Sequence, residues 1–108
     1  GDETQAAPQL QAAGLDDEQL ADAFDQLVAG LHLMVGEGFA HADLSAYNLL
    51  WWDGTLWFID FPQAVDIAAN PQGVEFLHRD VINVCRWFAQ RGLDVDGEEV
   101  VADVLCSM

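Results

Sequence analysis

Apolar side chains recur at helical spacing between residues 15 and 38. The stripe consists of Leu20, Phe24, Leu27, Val28, Leu31, Met34 and Val35. Positions three and four residues apart lie on one face of a helix, so this stripe predicts a helix with one buried side. Asp16, with Gln19 three residues later, has the pattern of a capping box. The predicted helix therefore begins after Asp16 and ends near Gly36 or Gly38.

Two short apolar runs, residues 49–52 (LLWW) and 55–59 (TLWFI), flank an Asp-Gly pair. An Asp-Gly pair between such runs predicts a β-hairpin, because both residues tolerate the positive φ angles of a tight turn. A three-residue loop over 53–55 would place Asn48 opposite Asp60, whereas a two-residue loop would offset them. In either register both polar residues lie at the open end of the hairpin.

Two further helices are predicted downstream. The first spans residues 71–90 and stops at Arg91 and Gly92. Its inner stripe consists of Val74, Leu77, Val81, Val84, Cys85 and Phe88. The second has Asp96 as its N-cap and Glu99 as the partner in a capping box. Its buried side consists of Val100, Val101, Val104 and Leu105.

These elements predict an α+β fold in which three principal helices pack around one hairpin. The chain has 108 residues and 52% hydrophobic content, which fits one modest domain. Residues 1–14 contain Pro, Gly and small polar residues without apolar periodicity, and they are interpreted as a hinge or linker. Residues 15–108 then form the folded unit.

Charge excludes several classes of partner. Nineteen acidic residues against three arginines and no lysine give a formal charge of −16, which repels nucleic acid and anionic lipid surfaces. We therefore expect neither a direct nucleic-acid contact nor a membrane contact. A saline cytoplasm or a need for solubility would produce the same acidity. Cys85 and Cys106 lack metal-ligand spacing, which favours two reduced thiols in a cytoplasmic protein.

Four polar residues follow a spacing with chemical meaning. His41, Asp43 and Asn48 fit H-x-D-x-x-x-x-N, and Asp60 ends the second predicted strand. Phosphoryl transfer needs a carboxylate near the attacking oxygen and oxygen ligands that hold Mg²⁺ against the phosphates. Asp43 suits the first role, Asn48 and Asp60 suit the second, and His41 suits a structural brace. The alternative is that these are turn-forming and strand-ending residues.

Four segments resemble the RIO kinases, a family with a protein-kinase-like fold. HADLSAYN (41–48) is similar to their catalytic loop, and IDFPQAV (59–65) to their metal-binding segment. EFLHRDVINVCRWF (75–88) and GLDVDGEEV (92–100) are similar to the two helices that follow. Only ten residues separate Asp60 from Pro71, too few for the long activation loop of ordinary protein kinases.

The resemblance implies ATP as phosphoryl donor, Asp43 as catalytic aspartate, and Asn48 and Asp60 as Mg²⁺ ligands. Ser45, together with Asn48 and Asp60, would lie at the nucleotide, and Asp80 would brace the catalytic loop. Gln63 matches the family without a role that its chemistry explains. His78 and Arg79 lie beside Asp80 on the predicted helix, which favours a local surface ion pair.

A complete kinase also needs a glycine-rich phosphate cover and a lysine from an N-terminal lobe. This sequence has neither, so it resembles the C-terminal lobe alone, and we expect it to be inactive without the missing lobe. One alternative is a lobe of an aminoglycoside or choline kinase type of phosphotransferase. Another is a non-catalytic binding module. Three tryptophans in one hairpin, Trp51, Trp52 and Trp57, are more than a small core easily buries, so some of them would face the missing lobe or a partner.

Overall fold

The computed structural model describes residues 9–10, 14–59 and 64–107. Its elements follow in chain order: helix α1 (Asp17–Gly36), strand β1 (Phe39–Ala40), a 3₁₀ turn (Ala46–Asn48), strands β2 (Leu49–Trp52), β3 (Thr55–Phe58) and β4 (Val65–Asp66), helix α2 (Gly73–Gln90) and helix α3 (Gly97–Leu105). This is the predicted α+β arrangement of three helices and a hairpin, with one additional pair of strands. Within these ranges, no helix combines the length and apolar character that a membrane crossing requires.

Helix α1 begins and ends as predicted. The Asp16 carboxylate accepts a hydrogen bond from the Gln19 amide at 2.8 Å, and the Gln19 side chain accepts one from the Asp16 amide at 3.1 Å. This reciprocal capping box satisfies two amides that the first helical turn leaves without partners. His32, on the same helix, contacts α3 through Asp103 at 2.9 Å.

Helix α2 differs from the prediction at its beginning. It starts at Gly73 rather than at Pro71, and Val74, predicted to lie on the inner stripe, is 49% exposed. Gly73 occupies the inner face instead, because its backbone lies against Ile67 so closely that an added Cβ would lie 2.4 Å from the Ile67 carbonyl oxygen. The rest of the stripe is buried as predicted. Phe88 packs edge-on against Phe24 of α1, with 5.3 Å between the ring centres.

Helix α3 has the predicted N-cap but a different partner for it. The Asp96 carboxylate accepts from the Glu98 amide at 3.0 Å, and the predicted capping box with Glu99 is wrong. The Asp96 backbone, at φ −113° and ψ 111°, directs the carboxylate to the nearer amide. Val101 and Val104 form the buried side of the helix.

The hairpin has the two-residue loop. Leu49 pairs with Phe58 and Trp52 with Thr55, so the three-residue alternative is wrong. Asp53 and Gly54 both adopt positive φ angles, 51° and 72°, as a tight turn between right-twisted strands requires. The hairpin tip is joined to α1, since the Gln26 side chain donates to the Gly54 carbonyl and accepts from the Leu56 amide, both at 2.8 Å.

The additional strand pair frames the predicted site. Strand β1 pairs antiparallel with β4 over two residues each, Phe39 with Asp66 and Ala40 with Val65. Strands this short carry no readable periodicity, so the sequence did not indicate them. The pairing places the segment entering the 41–48 loop beside the segment that follows residues 60–63.

The predicted linker contributes to the core. Gln9 forms an isolated bridge with Leu50 of β2, and the Leu10 side chain is only 1% exposed. A single leucine without periodic neighbours gives no sequence signal. The hairpin is therefore covered in part by a segment that the apolar pattern did not assign to the folded unit.

Candidate active site

The loop between β1 and β2 carries a single exposed carboxylate among buried neighbours. His41, Ala42 and Leu44 are each at most 7% exposed, whereas Asp43 is exposed. Within the part of the chain that the structure describes, the Asp43 carboxylate has no hydrogen-bond partner of its own. A carboxylate held at the surface by a buried backbone is available to a substrate.

His41 fixes this loop to the end of the hairpin. The Asp43 amide donates to His41 Nδ1 at 3.3 Å, and His41 Nε2 contacts the Ile59 carbonyl oxygen at 2.7 Å. Since Nδ1 accepts, Nε2 carries the proton and donates to Ile59. His41 therefore links the backbone of this loop to the residue that follows β3.

Residue Ile59 joins both ends of the loop. Its amide donates to the Asn48 carbonyl oxygen at 2.9 Å, and its carbonyl accepts from His41. Ile59 directly precedes Asp60, the predicted second metal ligand. Asp60 and Gln63 lie outside the described residues. The structure therefore gives the position of Ile59, directly before Asp60, and no position for either of these two side chains.

The Asn48 side chain is buried and oriented. It is 7% exposed, and its Oδ1 accepts a hydrogen bond from Ser45 Oγ at 2.8 Å. Ser45 Oγ in turn accepts from the Tyr47 amide at 3.2 Å, which caps the 3₁₀ turn. An amide oxygen has two lone pairs, so Oδ1 retains one after binding Ser45.

Asp80 reaches the loop from α2. The carboxylate is 1% exposed and accepts from the Ala42 amide at 2.7 Å and from the Leu44 amide at 3.1 Å. Burial raises the pKa of Asp80 above its ordinary value of 3.8, while these two hydrogen bonds and the neighbouring His41 and Arg79 act in the opposite direction. Asp80 therefore joins α2 to the backbone amides of the residues on either side of Asp43.

Arg79 also contacts the loop, which the sequence did not indicate. Arg79 Nη2 donates to the Ala42 carbonyl oxygen at 2.6 Å, and the guanidinium lies 5.0 Å from the centre of the Phe76 ring. His78 does form a surface ion pair, but its partner is Glu98 of α3 rather than a residue of its own helix, and Arg79 contacts the loop backbone instead of a carboxylate. Adjacent residues of a helix point in different directions, so Arg79 faces the loop while His78 faces α3. Which neighbour each residue meets depends on tertiary packing.

Of the two predicted Mg²⁺ ligands, only Asn48 lies among the described residues. Its side-chain oxygen is of a donor type that a hard divalent cation accepts, and it keeps one lone pair beside the hydrogen bond from Ser45. Among residues 9–10, 14–59 and 64–107, no cluster of three or more His, Cys, Asp or Glu side chains has metal-binding geometry. Both cysteine thiols are free, with Cys85 buried and Cys106 exposed. Burial raises the pKa of the Cys85 thiol to about 11, which suppresses thiolate chemistry at that residue.

The fold is protein-kinase-like. It is similar to the Rio2 kinase of Chaetomium thermophilum, solved as an ADP/Mg²⁺-phosphoaspartate complex, with a TM-score of 0.76 and 21% identity over 94% of this chain and 33% of that one. The RIO domain matches residues 1–100. The chain therefore belongs to the RIO family, and this membership argues against the aminoglycoside or choline kinase alternative.

Curated relatives are named as serine/threonine-protein kinases. The chain is 36% identical over 100 residues to the RIO-type kinase Rio1 of Thermoplasma acidophilum, covering 93% of this chain and 50% of that protein. It is 40% identical over 88 residues to RIO3 of Mus musculus, covering 81% of this chain and 17% of that protein. The chain thus spans half or less of the length of these relatives.

Proposed function

We propose that this chain forms the C-terminal catalytic lobe of a RIO-type, ATP- and Mg²⁺-dependent serine/threonine kinase or ATPase. The observation that carries the proposal is the pair of hydrogen bonds at Ile59. They join His41 and Asn48, at the two ends of the H-x-D-x-x-x-x-N loop, to the residue before Asp60. Ile59 is thus bonded to both His41 and Asn48, and the backbone amide of Asp43 is bonded to the same His41 ring.

In this proposal Asp43 orients the attacking hydroxyl or water and accepts its proton. Asn48 and Asp60 hold Mg²⁺, and Ser45 keeps the Asn48 amide in one orientation through its hydrogen bond to Oδ1. His41 and Asp80 are positioning residues, because they contact the loop backbone. When bound, Mg²⁺ supplies positive charge that offsets the charge of the phosphates.

The donor-binding groups of a kinase are not in this chain. It has no lysine, and phosphoryl transfer in kinases depends on a lysine and a glycine-rich phosphate cover. We therefore expect the isolated 108-residue chain to turn over no ATP, and activity to require an N-terminal lobe in the longer protein. Phosphate release from ATP by the purified chain, abolished by Asp43→Asn, would contradict this expectation.

The test of the proposal is Asp43→Asn in the chain joined to its N-terminal lobe. Asparagine has nearly the same shape but accepts no proton, so turnover should fall by roughly 10²–10⁴, measured as phosphate transfer from labelled ATP. Asp94→Asn is the matched control, because Asp94 is exposed and lies in the segment between α2 and α3. Equal activity of the two variants would remove Asp43 from the mechanism.

A non-catalytic binding module is the second candidate, and the exposed aromatic residues of the hairpin favour it. Trp52 and Trp57 are 40% and 46% exposed, and the register places both on the same face of the hairpin. In the kinase proposal, this face contacts the N-terminal lobe or another partner. An upstream coding sequence with a glycine-rich strand pair and a lysine strand would contradict the module.

A further inference from the structure

We propose that Arg79 is a positioning residue for Asp43, and that it acts by holding the peptide group between Ala42 and Asp43. The role of Asp43 in turnover rests on the proposed function. The structural part of the inference rests on the loop geometry alone. Arg79 thus has a specific hydrogen-bonding role at the loop, in addition to its charge on the protein surface.

Asp43 is bounded by two peptide groups, and side chains of the loop and of α2 hold both. The group before it is held at its carbonyl by Arg79, at 2.6 Å, and at its amide by His41 Nδ1, at 3.3 Å. The group after it is held at the Leu44 amide by Asp80, at 3.1 Å. Because peptide groups are planar, fixing the two flanking planes fixes φ and ψ of Asp43 and therefore the direction of its Cα–Cβ bond, from which the carboxylate extends.

The backbone of the preceding residue, Ala42, has a conformation that needs such restraint. Ala42 has a φ angle of 72°, a region that alanine rarely adopts because Cβ crowds the backbone. Left alone, the backbone at Ala42 would favour negative φ. Such a change would rotate the Ala42–Asp43 peptide group and turn the Asp43 carboxylate away from its present direction.

Asp80 and Arg79 divide the restraint between them. Asp80 accepts from backbone amides and so cannot hold a carbonyl. Within the described part of the chain, the guanidinium of Arg79 is the one hydrogen-bond donor to the Ala42 carbonyl oxygen. A hydrogen bond from a charged donor is stronger than a neutral one. The guanidinium is itself restrained by its position over the Phe76 ring.

The test compares Arg79→Met, Arg79→Lys and Arg86→Met in the 108-residue chain by NMR. Methionine fills similar space without a donor, whereas lysine keeps a charged donor. Arg86 lies on the same helix two turns later, is exposed, and has no hydrogen bond to the described residues. In Arg79→Met we expect altered ¹³C shifts at Ala42 and amide exchange at Asp43 about tenfold faster. Arg79→Lys should restore part of the protection, and Arg86→Met should change neither.

Two outcomes would overturn the inference. One is an Asp43 amide that exchanges in Arg79→Met as it does in the unmodified chain. The other is an Arg79→Met chain that is unfolded while Arg86→Met is folded, which would show that Arg79 supports the whole domain rather than the loop.

A second readout separates this inference from the proposed function. In the chain joined to its N-terminal lobe, Arg79→Met should lower kcat by up to about 10²-fold while KM for ATP is unchanged, because a small displacement of a catalytic group costs rate rather than nucleotide binding. Arg79→Lys should recover part of kcat. If Asp43→Asn retains full activity, the proposed function fails, whereas the NMR result still decides the role of Arg79.

Discussion

The loop over residues 41–48 and the hairpin that follows it are adjacent in sequence but are held in different ways. The hairpin is closed by pairing between neighbours and by a two-residue turn at Asp53 and Gly54. The loop is held by side chains 36 to 38 residues away, from Arg79 and Asp80. Local chemistry therefore specifies the hairpin, whereas the shape of the loop depends on how α2 packs.

The two regions also differ in what they bury. The inner face of the hairpin buries apolar side chains such as Leu49 and Leu56, whereas the buried polar residues of the chain's described part are His41, Asn48 and Asp80, all at the loop. Buried polar groups are stable only when they have partners. Here the partners are backbone amides and a carbonyl for His41 and Asp80, and the Ser45 hydroxyl for Asn48. A region held in this way has a defined shape, and it is sensitive to the loss of any one partner.

The largest effect that would test this comparison is expected for Asp80→Ala. The substitution leaves the buried amides of Ala42 and Leu44 without an acceptor, and the free energy of unfolding should fall by about 3 kcal/mol. Urea unfolding followed by tryptophan fluorescence would measure the change. Hydrogen exchange should show that protection is lost first in the loop.

Asp66→Ala is the matched control for that substitution. The Asp66 carboxylate also accepts from two backbone amides, those of Ala68 and Ala69 at 2.9 and 3.0 Å, but Asp66 is exposed. Water can replace the lost acceptor there, so the cost should be about 1 kcal/mol or less. If Asp80→Ala and Asp66→Ala lowered the free energy of unfolding equally, burial would not be what makes the loop more sensitive than the exposed turn at Asp66.

A smaller effect is expected for Gly54→Ala at the hairpin turn. Gly54 has a φ angle of 72° and open space where a Cβ would lie, so the cost is purely conformational and should be about 1 kcal/mol. Gly36→Ala at the end of α1 is the control, because an added Cβ there would make only an ordinary contact, at 3.8 Å, with Ser107. In Gly54→Ala, amide hydrogen exchange should become faster in the hairpin, while the loop over residues 41–48 stays protected. Loss of protection in the loop would contradict the view that the two regions are held in different ways.

The smallest effect expected is a change in the pH dependence of stability. Burial raises the pKa of Asp80 in the folded chain above 3.8, so the folded state binds this proton more tightly than the unfolded state. The resulting stabilisation is complete below the unfolded pKa and is lost as the pH rises through the folded pKa. Stability measured relative to Asp80→Asn should therefore fall as the pH increases from about 3.8. A relative stability that rises over this range would mean that the loop amides lower the pKa of Asp80 overall.

Much of the site could be predicted from sequence, because its side chains follow fixed spacings within one loop. His41, Asp43, Ser45 and Asn48 lie in one short motif, and the family resemblance added Asp80. Arg79 was interpreted as a surface charge, since an arginine on an amphipathic helix gives no sign of which neighbour it will contact. The roles of these residues in phosphoryl transfer are still predictions.

The sequence by itself determined helix α1 with its capping box, the presence of the hairpin, and the spacing of the loop residues. Each of these depends on residues within a few positions of one another, where backbone geometry links pattern to structure. Tertiary structure alone decided the β1–β4 pairing, the burial of Leu10, the positive φ of Ala42 and the contact of Arg79 with the loop. These features join segments tens of residues apart, and packing selects such contacts only after the local elements have formed.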